Sequence, residues 1–132
     1  MSTVKLLADD ELSPEAAAVF ADIRAKRNTS YVNNFWRALA HDPVLLRRTW
    51  EGVQQVMAPG ALDARTKEMI YVAVSIAHGC EYCIHSHTAA ARTKGMSEAE
   101  HLELLAVVGM AAMTNRLVTG LQVPVDEIFQ RR

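Results

Sequence analysis

The sequence is short of several things. It has two cysteines in 132 residues, too few for the disulfide framework that holds small secreted domains together. Its Lys and Arg number 14 against 15 Asp and Glu, a formal net charge of -1, so no basic excess marks a nucleic-acid partner. No basic amphipathic segment points to a membrane surface. Asp9, Asp10 and Glu11 fall where a signal peptide needs an uninterrupted apolar run. No apolar run reaches the roughly 18 residues of a membrane-spanning helix. The expectation is a cytoplasmic protein with neither nucleic acid nor membrane as partner, in a compartment that keeps thiols reduced. There, two cysteines spaced C-x-x-C suggest redox chemistry or a metal rather than a structural staple.

Strand patterning is missing too. No stretch alternates apolar and polar residues between turn dipeptides, so the fold reads as all-α. Residues 1–12 read as a short leader draped over a neighbour. Ser13-Pro14-Glu15 predicts a helix start, with a capping hydroxyl, a proline in the first turn and an acid on the dipole. That helix carries Ala18, Phe20 and Ile23 and runs to about Lys26. Val32 to Ala40 reads as a short helix with Phe35, Trp36 and Leu39 on its apolar side. Asp42-Pro43 opens another, with Leu45, Leu46, Trp50, Val53 and Val56 near i, i+4, i+7 spacing, ended by Pro59-Gly60.

Asp63 caps a helix over 64–78, polar in its first turn and apolar nearly all round from Met69 to Ala77, hence expected to be buried on most sides. Gly79 sits where a helix end places a left-handed residue. The next helix runs from about Cys80 to Lys94 and stops at Gly95. Ser97 and Glu100 form a capping box that opens a long helix through Leu117, apolar on every face from Leu104 to Met113. Gly120 ends it, and Val125, Ile128 and Phe129 mark a short amphipathic tail after Pro124. Arg47-Arg48 and Arg131-Arg132 read as solvated charges. The whole, residues 1–132, reads as one domain of about six or seven helices. Two nearly all-apolar helices exceed what one small core hides, which implies a homo-oligomer whose helix faces meet across subunits.

The chemistry concentrates in His78-Gly79-Cys80-Glu81-Tyr82-Cys83-Ile84-His85-Ser86-His87. With Cys80 at the start of a helix, Cys83 lies three residues on and His87 four further, all on one stripe. The helix N-terminus lowers a cysteine pKa and makes thiolate available near neutral pH. The spacing also lets the two sulfurs close a disulfide within one turn. His87 stands one turn below Cys83, where it can relay a proton or hold a thiolate. Glu68 joins by geometry. If the helices either side of Gly79 pack antiparallel, Glu68 lies roughly 15 Å back from the turn and His87 roughly 10 Å forward. A glutamate spans much of that difference.

Glu68, then Cys80-x-x-Cys83-x-x-x-His87, with Gly95 closing the helix, resembles the carboxymuconolactone decarboxylase superfamily, and within it the alkylhydroperoxidase AhpD-like branch. The resemblance covers roughly residues 40–120, and the combined pattern is far more specific than a lone C-x-x-C. It implies an all-α AhpD-like bundle assembled as trimers or hexamers, with thiol-dependent peroxidase or disulfide reductase activity. It implies Cys80 and Cys83 as the redox disulfide pair and Glu68 and His87 as a proton relay. It implies no bound cofactor, and an external electron donor: a protein or small dithiol, thioredoxin-like or lipoyl-type. The substrate would be a hydroperoxide. The chain departs at one position, with Tyr82 where well-known members have a histidine before the second cysteine. Decarboxylase members share the fold but lack the cysteine pair, which argues against lactone decarboxylation.

The attacking sulfur stays open. The helix start favours Cys80, and the resemblance favours Cys83. Tyr82 and His85 are candidates to line a substrate pocket. Metal binding through Cys80, Cys83, His85 and His87 is the rival chemistry. Against it, no second ligand pair is present, and on a continuous helix His85 points about 200° away from its neighbour two positions on. A non-enzymatic redox-sensing or metal-binding oligomer is the other class. His78 and His85 otherwise read as helix-surface or helix-end residues, and His41 and His101 as solvated residues near helix starts. Trp36, Trp50, Phe35, Met69, Met110 and Met113 read as core or interface.

Overall fold

The computed structural model describes residues 1–130 of the chain, so Arg131 and Arg132 lie outside the described residues. It is all-helical, with no strand among the described residues. A 3-10 turn at Asp9–Glu11 precedes α1 (Pro14–Arg27), α2 (Asn34–Leu39), α3 (Pro43–Met57), α4 (Ala64–His78), α5 (Glu81–Thr93), α6 (Glu98–Gly120) and a last turn, α7 (Glu127–Gln130). Contacts divide the chain into two compact units, Met1–Ala58 and a second that begins at Pro59.

The first unit is built by its caps. Ser13 Oγ accepts the Ala16 N–H and Pro14 takes the first turn of α1. Asp42 accepts from Val44 and Leu45 at the head of α3, with Pro43 behind it. These side chains satisfy N–H groups that a helix start leaves without partners. The helices then bury Ala16, Val19, Phe20, Ile23, Val32, Trp36, Ala40, Leu46 and Trp50 as one apolar cluster. Trp36 and Trp50 meet edge to face at 5.4 Å, and the Trp50 indole N–H donates to Asp22 at 2.7 Å. A buried indole therefore keeps a partner for its one polar atom.

The leader is pinned to this same unit. Arg37 donates to the Leu7 carbonyl at 2.8 Å and to Asp9 at 3.0 Å, and Arg24 pairs with Asp9 as well. Leu7 and Leu12 pack against the cluster. Short-range pattern reading misses this because the partners lie 15 to 30 residues away.

In the second unit α4 and α5 form an antiparallel hairpin, and α6 packs on α4. Asp63 caps α4 through the Thr66 N–H at 2.8 Å. Ser97 and Glu100 exchange side-chain-to-backbone bonds at the head of α6, at 3.1 and 2.7 Å. Gly79 has φ +68, and the Cys80 N–H returns to the Ser75 carbonyl at 3.0 Å. That left-handed residue is what folds α5 back on α4.

The expectation that the 64–78 helix is buried on most sides is not met within the single chain. α4 buries only Glu68, Val72 and Ser75, leaving Ile70 and Val74 about half exposed. α6 buries nothing within this chain, with Leu105, Val107, Met110, Met113 and Leu117 all exposed. It also runs three residues past Leu117, to Gly120. By length and composition alone α6 is long and apolar enough to cross a bilayer, with mean hydropathy 1.3 over its best window. That is a property of the average, since no uninterrupted apolar run in the chain reaches roughly 18 residues. An average tolerates the isolated charges Glu103 and Arg116 that interrupt an uninterrupted run.

Candidate active site

Cys80 belongs to two helices at once. Its N–H closes the end of α4, and its carbonyl accepts the Ile84 N–H at 2.9 Å as the first bond of α5. Its side chain is the N-cap of α5, with Sγ accepting the Cys83 N–H at 3.3 Å. A sulfur in that position faces the positive end of the helix. Cys80 and Cys83 are joined as a disulfide with their Cα atoms 5.3 Å apart. One helical turn is what brings two such Cα atoms within bridging range.

The hairpin is closed, and Glu68 and His87 meet across it. His87 Nδ1 and Glu68 Oε2 are 2.7 Å apart. An ionised carboxylate has no proton to give, so Nδ1–H is the donor, and in the neutral ring Nε2 is then the nitrogen that carries the lone pair. Nε2 makes no hydrogen bond among the described residues. Glu68 is 6% exposed. Burial alone pushes its carboxyl up, but the hydrogen bonds from His87 and then Lys94 outweigh it and hold the group below its ordinary value.

Two residues of this arrangement escape the sequence reading. Lys94 Nζ donates to the other carboxylate oxygen, Oε1, at 2.8 Å. Tyr71 lies flat on the imidazole, with ring centroids 3.6 Å apart and planes inclined by 18°. The polar edge of His87 is therefore held by Glu68 and one ring face by Tyr71. Periodicity carries a faint signal for both. Tyr71 is one turn from Glu68 on α4, and Lys94 is seven residues from His87, two turns along the same stripe of α5.

The remaining candidates sit elsewhere. Tyr82 is 46% exposed, and His85 is exposed as well. Both lie well round α5 from the stripe of Cys80, Cys83 and His87. His78 is exposed at the end of α4. His41 donates through Nε2 to the Lys5 carbonyl at 2.8 Å when that nitrogen carries the proton. His101 Nδ1 lies 3.4 Å from Arg92. Among the described residues no three His, Cys, Asp or Glu side chains gather as a metal-ligand set.

The model of the carboxymuconolactone decarboxylase family matches residues 43–126. The crystal structure of the alkylhydroperoxidase AhpD core from Rhodospirillum rubrum is 61% identical, superposes with a TM-score of 0.96, and is covered over 99% of its length by 100% of this chain. A curated relative, uncharacterized protein 4 in the cox locus of Paracoccus denitrificans, is 42% identical over 50 residues. That match takes in 38% of this chain and 45% of the relative, so it spans less than half of the curated protein.

Proposed function

The chain belongs to the AhpD-like part of the carboxymuconolactone decarboxylase family, and on that premise we propose that it reduces alkyl hydroperoxides through a Cys80–Cys83 dithiol cycle. The observation that carries the proposal is the disulfide at the head of α5 with the Glu68–His87 pair on the same hairpin. In the reduced protein, His87 Nε2 takes the proton of the attacking thiol. The thiolate attacks the terminal oxygen of ROOH and bonds to it as the O–O bond breaks, and His87 returns the proton to the departing alkoxide, which leaves as ROH. The sulfur is then a sulfenic acid. The second thiol condenses with it, water leaves, and the disulfide forms. An external dithiol reduces that disulfide by exchange and ends as a disulfide itself.

Glu68 acts in this scheme as a fixed anion. It stays ionised, orients Nδ1–H and supports the imidazolium that forms. The donor would be a thioredoxin-like or lipoyl-type dithiol, and the reducing cytoplasm is the setting that supplies one. Assembly belongs to the same proposal. The exposed apolar faces of α6 and α4 suit burial against further copies of the chain, as trimers or hexamers.

The test is consumption of an organic hydroperoxide with dithiothreitol or dihydrolipoamide as reductant. Turnover is expected to fall to the uncatalysed background in both Cys80→Ser and Cys83→Ser. The variant that retains the nucleophile still consumes one equivalent of peroxide and traps a sulfenic acid, which assigns the attacking sulfur. A Cys80→Ser/Cys83→Ser double variant that turns over like the wild type would overturn the proposal.

A further inference from the structure

Glu68 is buried to the extent that its side chain is 8% exposed, yet it serves two partners, the imidazole of His87 and the ammonium of Lys94. His87 holds Oε2 and Lys94 holds Oε1, at 2.7 and 2.8 Å. A glutamate opposite a lone histidine would carry an unbalanced negative charge, and protonating the imidazole would neutralise it. With the lysine present, the neutral arrangement is already Lys⁺ and Glu⁻ with an uncharged imidazole. A proton on His87 then leaves a net positive charge in a partly buried site, which is unfavourable.

The lysine is placed for that task by backbone as well as charge. Lys94 is the C-cap of α5, its N–H bonded to the Ala90 and Ala91 carbonyls at 3.1 Å. Gly95 follows with φ +96, ending the helix. Arg65 reaches from α4 to the Gly95 carbonyl and to Glu100. The turn that carries Lys94 is thus tied to α4 and to the head of α6.

We propose that Lys94 is a positioning residue of this site, which holds the Glu68 carboxylate in place and keeps His87 uncharged with Nε2 available as a base. The proposal deepens the functional reading above and rests on it for its meaning, although its test does not. Other groups near His87 are accounted for. Glu68 and Tyr71 face it from α4, and the cysteines of its own helix do not titrate while bonded to each other. On α6, which packs on α4, Glu98 and His101 lie against Arg92, and Glu100 against Arg65.

The experiment is an NMR titration of the His87 ring in the full-length disulfide form, its signals assigned through His87→Gln. Lys94→Met is expected to raise the His87 midpoint by on the order of one pH unit. Lys94→Arg keeps the charge and is expected to return the midpoint to the wild-type value. Lys94→Gln, which keeps a donor but loses the charge, asks the same question should the methionine variant fail to fold. A folded, charge-free variant whose His87 midpoint is unchanged or lowered would overturn the proposal, whatever happened to its melting temperature. Because the titration needs no turnover, a protein inactive toward peroxides can still bear it out.

Discussion

The two units of this chain spend their apolar residues in opposite ways. In Met1–Ala58 they gather inward, and nine buried side chains form one cluster with two tryptophans at its centre. From Pro59 onward the buried set is small and partly polar. Glu68, Ser75 and Thr88 lie alongside Val72, Ala91 and Met96, while most of the large apolar residues of α6 face outward. The unit that carries the chemistry therefore does not close an apolar core of its own. Its hairpin instead buries an ionised carboxylate, Glu68, with two hydrogen-bond partners.

His87→Ala gives the widest separation between the units. Hydroperoxide turnover is expected to fall by roughly 10²-fold or more, the usual range for losing a positioned acid-base group. Retained activity would remove His87 from the relay. Leu46→Ala in the first unit is expected to do the reverse, leaving the dithiol chemistry in place. It should cost about 2–5 kcal/mol of stability, read by denaturant titration.

Met110→Glu on α6 sharpens the contrast further. The residue is 57% exposed within the chain, so an isolated chain should tolerate the substitution with little loss. The assembly proposed above should instead dissociate, which sedimentation would show as a fall in mass. An unchanged mass would mean that α6 is not where copies meet. A smaller effect is expected for Ser97→Ala, which removes half of a capping box. About 1 kcal/mol should be lost, visible in thermal melts.

The smallest effect is the pH dependence of the carboxylate pairing. The folded Glu68 group lies below its ordinary value, so the unfolded chain binds its proton first as pH falls. The stabilising contribution is therefore complete above the ordinary carboxylate range, and it is lost as pH drops through the folded value. Melting temperatures of the wild type and Glu68→Gln should converge on acidification. A gap that widens instead would reverse the assigned sign.

Nearly all of the helical layout was legible in the chain. Helix starts depend on residues within three or four positions of each other. Ser13-Pro14, Asp42-Pro43, Asp63 and Ser97-x-x-Glu100 each act locally, and all four cap the helices they announce. The same holds for Cys80, Cys83 and His87, which fall on one stripe by spacing alone. Burial was less legible, because hydropathy says that a surface needs covering and not what covers it. The nearly all-apolar α4 and α6 showed this most clearly.

What the chain determined by itself is thus the order of its helices and the stripe of sulfur and imidazole on α5. Both follow from interactions that reach no further than a turn or two. The tertiary structure decided which groups the imidazole meets. Only the closed hairpin brings Glu68 of α4 against His87, adds Lys94 from the far end of α5, and lays Tyr71 on the ring. Those contacts depend on how two helices are folded back on each other at Gly79. No local pattern specifies a distance across that turn.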